Sequence, residues 1–340
     1  MNRFERVFKT INALIIFSLL VTVAAAATLV LVDGGFIDFD RSENSPWKPK
    51  SIETDLEGEQ KASLIKYGYE VITKSPQLIG PMSKDPRKRF AGNNLTCQSC
   101  HLEAGTKPGA GSFAGVYKRF PQYRGREDKQ GTLEDRIDGC MERSMNGQRM
   151  PHNSLEMQAM VAYMKWLSED VPEDKEKIYQ GFSKVELPEV RADLDKGKAV
   201  FEKHCVVCHG ENGQGMRPDE NSLYQFPPLW GNDSYNHGAG MHRLITAAEF
   251  IKANMPFQQA TYDKPVLTDE EAYHVAAYIN SFDRPLKSDP ELDFPKKELK
   301  PVSTPYGPWT DNFSADQHKY GPFQPIMAYY EKQYGIKKNK

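Results

Sequence analysis

Charge of one sign is what the chain most plainly lacks: 44 Lys and Arg stand against 46 Asp and Glu, a formal net charge of -2 over 340 residues. A chain this close to neutral has no global footprint for nucleic acid, so nucleic acid is not an expected partner and any charge argument must be local. Histidine is scarce, at 8 residues, and cysteine scarcer, at 5. With so few cysteines, each must be assigned a role before any disulfide is invoked.

The long apolar run is confined to the N-terminus. Arg3, Arg6 and Lys9 precede Ile11–Val32, 22 residues without a charge, and Asp33-Gly34-Gly35 ends the run. This is an export signal. Residues 11–32 are long enough to anchor the chain in a bilayer, while Ala25-Ala26-Ala27 offers a small-residue cleavage site. Either way the remainder crosses the membrane and the expected location is periplasmic, soluble or tethered.

Four of the five cysteines fall into two copies of one pattern, Cys97-Gln98-Ser99-Cys100-His101 and Cys205-Val206-Val207-Cys208-His209. C-x-x-C-H lets two thiols form thioethers to the vinyl groups of haem while the adjacent histidine ligates the iron. The cofactor expectation is therefore two covalently bound haem c. The surroundings of the motifs also repeat. Gly197 and Phe201 precede the second copy as Gly68 and Ile72 precede the first, and the segments Phe120–Gly125 (FPQYRG) and Phe226–Gly231 (FPPLWG) follow them. Each half then reaches a Met-Pro pair, at 150–151 and 255–256, and closes with an amphipathic helix. Asn153 with Glu156 is expected to cap the first closing helix and Thr268 with Glu271 the second. Met157, Met160 and Met164 are assigned to packing.

The fold expectation is all-α, with two tandem class-I-like cytochrome c domains. The expected divisions are a leader at 1–35, a linker at 36–59, a first haem domain at 60–180, a linker at 181–192, a second haem domain at 193–286 and an irregular arm at 287–340. The arm is rich in Pro, Lys and Tyr and lacks periodicity.

The second axial position of each iron decides whether a haem carries electrons or does chemistry. Met255, 46 residues after His209 and just before the closing helix, is the candidate for the second haem, with Lys252 and Asn254 nearby. For the first haem, repeat logic offers Met150. Its competitor is Cys140, a lone thiol that iron would deprotonate and that Arg136 and Arg143 would favour as thiolate.

Here the residues carry a family likeness. CQSCH, Arg126 in QYRGR and the string Arg136-Ile-Asp-Gly-Cys140-Met-Glu-Arg143-Ser144-Met-Asn-Gly147 resemble thiosulfate dehydrogenases, dihaem cytochromes that interconvert thiosulfate and tetrathionate. The resemblance implies His101 and Cys140 on a catalytic haem, and His209 and Met255 on a haem that relays electrons to or from a soluble or membrane-bound c-type cytochrome. It also implies substrate binding by Arg126 and Arg136. Asn254 stands where that family offers a lysine. Ser144 is a further expected donor, and Cys140 has two candidate roles, tuning the iron or taking up the substrate's outer sulfur. Between residues 84 and 149 thirteen Lys or Arg face eight Asp or Glu, a local excess suited to small dianions. Two other classes share the motif count: an electron-transfer cytochrome without its own substrate, which places Met150 on the first iron, and a dihaem peroxidase.

Overall fold

The computed structural model describes residues 3–33 and 47–340. The end of the expected leader, residues 34–35, and most of the first linker, residues 36–46, lie outside the described residues. Residues 1–48 and 49–340 form two separate units. The first contains helix α1, Arg3–Asp33, whose described side chains between Ile11 and Val23 are exposed. Among the described residues no helix is long and apolar enough to cross a membrane. The side chains of residues 27–32, the end of the apolar run, are not among those described.

The second unit opens with α2 (Ala62–Thr73), α3 (Ser75–Ile79) and the single turn α4 (Leu102–Gly105), which follows the first haem motif. A short antiparallel ribbon comes next, β1 (Gln122–Arg124) paired with β2 (Lys129–Gly131). Then come α5 (Leu133–Arg143), α6 (Leu155–Trp166) and α7 (Glu173–Tyr179). The second half runs through α8 (Leu194–His204), α9 (Val206–His209), α10 (Leu244–Asn254) and α11 (Asp269–Ser281), and the arm carries α12 (Ala315–Tyr320) and α13 (Gln324–Tyr334).

The two halves share one plan, in which the helix before the haem motif crosses the closing helix. Glycine permits both crossings. A Cβ at Gly68 of α2 would stand 2.0 Å from the Ala159 carbonyl oxygen of α6, and one at Gly197 of α8 would stand 2.2 Å from the His274 carbonyl oxygen of α11. The repeated glycine is therefore a point of backbone contact, where no side chain fits.

Two expectations change. The cap of α6 is Ser154, whose hydroxyl accepts from Met157 N, one residue beyond the expected Asn153. Glu156 turns inward, where it is buried and accepts from Lys88 Nζ at 2.6 Å and Tyr67 Oη at 2.9 Å. The second closing helix has the expected capping box of Thr268 and Glu271. The arm is less irregular than its sequence suggests. Its helix α13 has Pro325 in the first turn and Gly335 in the left-handed conformation after the last, the usual start and stop residues. The arm packs down through Phe323, Ile326 and Tyr330, all fully buried.

The halves also share their cores. Tyr235 and Ala239 of the second half belong to the core around Ile72, Met141 and Trp166, and Leu102 and Ala110 of the first half belong to the core around Phe201, Leu244 and Tyr273.

Candidate active site

Helix α5 carries most of the predicted chemistry, and its register explains why. Arg136, Cys140 and Ser144 recur every four residues, so they project from one face. A capping box of Thr132 and Asp135 fixes the start of the helix. Its end is fixed by the second half, where Asn236 donates from its backbone N–H to the Arg143 carbonyl at 3.1 Å and from Nδ2 to the Glu142 carbonyl at 2.9 Å. Two carbonyls that the helix leaves unpaired are thereby satisfied.

Cys97, Cys100, His101, Cys140 and Ser144 line one cavity, together with Ile72, Phe113, Met160, Met164, Tyr235 and Met241. Arg136 lines an adjoining cavity that also reaches His101 and Cys140. Two thiols, a histidine and an apolar wall are a donor set that fits a haem held by thioethers. The histidine is oriented for it: His101 Nδ1 lies 2.6 Å from the Gly111 carbonyl, which leaves Nε2 for a metal. The second motif repeats the device, with His209 Nδ1 2.8 Å from the Pro227 carbonyl. Burial holds the His209 imidazolium below its ordinary range, and a neutral ring is what a metal requires.

The cysteines separate by electrostatics. Burial pushes the thiols of Cys97 up to about 11 and of Cys100 and Cys205 to about 12. Burial acts on Cys140 in the same sense, but the Arg136 guanidinium, His101 and Arg143 outweigh it and bring the thiol down to about 6. Arg136 Nη1 donates to Cys140 Sγ at 2.8 Å. Met150 is buried elsewhere, its N–H bonded to Asp138 Oδ1 at 3.0 Å, and it does not line the cavity.

Met255 directly follows α10 and packs half-buried against the second core, as do Cys205 and Trp230. Lys252 is paired with Asp269. Asn254 is fully buried and donates from Nδ2 to the carbonyls of Gly109 and Phe250, both at 2.9 Å. Both neighbours of the methionine are thus committed to structural contacts.

Arg126 lines neither cavity. It sits between the strands of the ribbon, paired with Asp293 of the arm and bonded to Tyr306 Oη at 2.9 Å. It is nonetheless part of a cationic group. Burial, then repulsion from Arg126 and Arg136, lowers Arg143 to about 10. Burial, then Arg126, Arg143 and Arg136, lowers Arg243 to about 9, and Arg243 Nε is buried without a hydrogen-bond partner among the described residues. Arg243 and Tyr235 escaped the sequence reading because they come from the other half, about a hundred residues from Cys140. Arg143 was visible in the motif, three residues after the thiol.

The SoxA/TsdA cytochrome c domain profile matches residues 87–172, and a cytochrome c profile matches residues 194–283. Thiosulfate dehydrogenase of Stutzerimonas stutzeri is 38% identical over 240 residues, which cover 71% of this chain and 73% of that protein. Thiosulfate dehydrogenase of Allochromatium vinosum is 42% identical over 208 residues, 60% of this chain and 75% of that protein. Among solved structures, thiosulfate dehydrogenase (TsdBA) of Marichromatium purpuratum in its as-isolated form superposes with a TM-score of 0.62 at 34% identity. That match covers 72% of this chain and 50% of the other. The architecture is thus two tandem cytochrome c domains, all-α apart from the short ribbon.

Proposed function

The chain belongs to the thiosulfate dehydrogenase family, and from that premise we propose that it joins two thiosulfates through their outer sulfurs. Two thiosulfate dianions give one tetrathionate dianion and two electrons. The same site is reversible, with tetrathionate reduction as the opposite direction. The observation that carries the reading is the meeting of Cys140 and His101 in the cavity of the first C-x-x-C-H motif, with Arg136 on the thiol.

Cys97, Cys100, His101 and Cys140 would hold the catalytic haem, and Cys205, Cys208, His209 and Met255 the second. The haems, once bound, would supply one-electron acceptors, and a thiolate from Cys140 against a thioether from Met255 would order their potentials in favour of release to an external c-type cytochrome. The protein's own share is electrostatic. Two dianions repel, and Arg126, Arg136, Arg143 and Arg243 offset that repulsion, each charge acting more strongly where it is buried, as at Arg143. Arg136 from the wall of the adjoining cavity, and Arg126 from outside both walls, hold sulfonate oxygens through the guanidinium fork, and Ser144 donates a further hydrogen bond. The N-terminal run delivers the protein to the periplasm, with Ile11–Val32 either removed or retained as a tether.

The test is an oxidised and reduced spectrum of the pure protein, followed by thiosulfate addition and assay of tetrathionate. A thiolate-ligated low-spin haem and tetrathionate formation are expected. Two His/Met spectra and no product would replace this reading with an electron-transfer cytochrome.

A further inference from the structure

We propose that Asp293, Phe294 and Tyr306 of the C-terminal arm are positioning residues for Arg126, which makes the arm a working part of the thiosulfate site. The proposal deepens the reading above and rests on it.

Arg126 is carried by residues 125–128, the loop of a ribbon only three residue pairs long. A ribbon of that size is marginal alone, so an arginine at its tip needs fixing from outside. The arm supplies four contacts. Nη1 of Arg126 donates to Asp293 Oδ2 and to Tyr306 Oη, and Tyr306 Oη in turn donates to Asp293 Oδ2 at 2.6 Å, which closes a triangle. The guanidinium carbon lies 4.8 Å above the centre of the Phe294 ring. The Phe294 N–H donates to the Arg126 carbonyl at 2.8 Å, tying backbone to backbone.

The arm residues are themselves fixed. Lys287 Nζ stands 3.5 Å from Asp293 Oδ1, and Lys297 Nζ donates to the Asp293 carbonyl at 3.0 Å. Lys300, 1% exposed, donates from Nζ to the carbonyls of Tyr306 and Pro308 at 2.9 and 3.0 Å. The immobility of Arg126 is therefore inherited from a packed segment.

This arrangement leaves a free edge. Both side-chain hydrogen bonds fall on Nη1, so among the described residues the Nη2 and Nε donors remain as the fork that matches two sulfonate oxygens. A long flexible cation would lose rotamer freedom on binding an anion; here that loss has been taken in folding. Asp293 makes the point sharper. Its charge opposes a dianion, so a carboxylate there has no value to binding except through the geometry it imposes and the neutralisation of an otherwise crowded cation.

That conflict gives the experiment its sign. Full-length, haem-loaded Tyr306→Phe and Asp293→Asn are compared with the wild type for KM and kcat in thiosulfate oxidation, with haem spectra and thermal unfolding as controls for folding. Tyr306→Phe changes no charge. Loss of its bond to a charged partner should raise KM for thiosulfate by about tenfold while kcat and the haem-1 spectrum stay unchanged. Asp293→Asn should also raise KM. If Asp293 only screened the cluster, its neutralisation would lower KM instead, and that result overturns the proposal, as does an unchanged KM in Tyr306→Phe. Wild-type protein that turns over thiosulfate beside unaffected variants would sink the arm's role alone; wild-type protein that does not turn it over would sink the functional reading as well.

Discussion

Arg136 and Cys140 stand one helical turn apart on α5, and the arginine's Nη1 donates to the sulfur at 2.8 Å. This is an i to i+4 pair in which the cation favours thiolate over thiol, against a burial that favours the reverse. Replacing Arg136 by Gln removes the charge and weakens the hydrogen bond. A charge-assisted bond contributes about 1.5–3 kcal/mol, so kcat/KM for thiosulfate should fall by roughly ten- to a hundredfold. Steady-state kinetics on protein with full haem content measures it.

Cys140→Gly and Met150→Leu separate the two candidate ligands of the first haem. Cys140 lines the cavity with His101 and Met150 does not. Cys140→Gly should abolish turnover while both haems stay attached, because Cys97, Cys100, Cys205 and Cys208 are untouched. Met150→Leu should leave the thiolate-type spectrum and the activity in place, with a stability loss under about 1.5 kcal/mol for a volume-conserving core exchange. Absorption and EPR spectra of the two variants check this, and the opposite pattern would assign the iron to methionine.

How far the sequence reaches is shown by those same residues. The two haem motifs, the arginine-cysteine string and the glycine repeat were legible because each is local: a porphyrin dictates C-x-x-C-H, and a helix face dictates spacings of four. Thr268 with Glu271 was legible for the same reason. Ser154 against Asn153 was a one-residue choice that local chemistry leaves nearly degenerate, and Glu156 is drawn inward to Lys88 and Tyr67 instead of serving the cap. The approach of Tyr235 and Met241 to the first motif, and of Arg243 to the other arginines, was not legible, since only the packing of one half on the other brings them there. The arm was misjudged in part. Its contact with Arg126 joins positions 126 and 293, which no periodicity links.

Gly68 and Gly197 yield a prediction about the duplicated scaffold. At each, a methyl group would collide with a backbone carbonyl oxygen, 2.0 Å away at Ala159 and 2.2 Å at His274, and backbone cannot rotate aside as a side chain can. Gly68→Ala and Gly197→Ala should each destabilise by about 1–3 kcal/mol, the range for overpacking, despite the better helix propensity of alanine. Denaturant unfolding of holoprotein reads the change, and a gain in stability at either site would show that the two helices separate more easily than their contact implies.

His242 provides a pH dependence whose sign can be worked out. The ring is 8% exposed, and burial first, then the Arg284 charge, pulls it from 6.5 down to about 3; Nδ1 lies 2.9 Å from the His237 carbonyl. Between those two values the unfolded chain binds a proton that the folded chain refuses. Stability from this group is therefore whole above about pH 6.5 and declines as the pH falls toward 3, with a slope of up to about 1.4 kcal/mol per unit. Replacing His242 by Leu removes the titration. The variant should be less stable than wild type at pH 8, where the ring's hydrogen bond is lost, yet should lose less stability on going to pH 5. Urea unfolding at the two pH values gives four free energies, and the difference of their differences isolates the histidine from every other group that titrates. Parallel pH profiles for the two proteins would mean that the ring is protonated in the folded state without cost, and that the Arg284 side of the second domain is wetter than its packing shows.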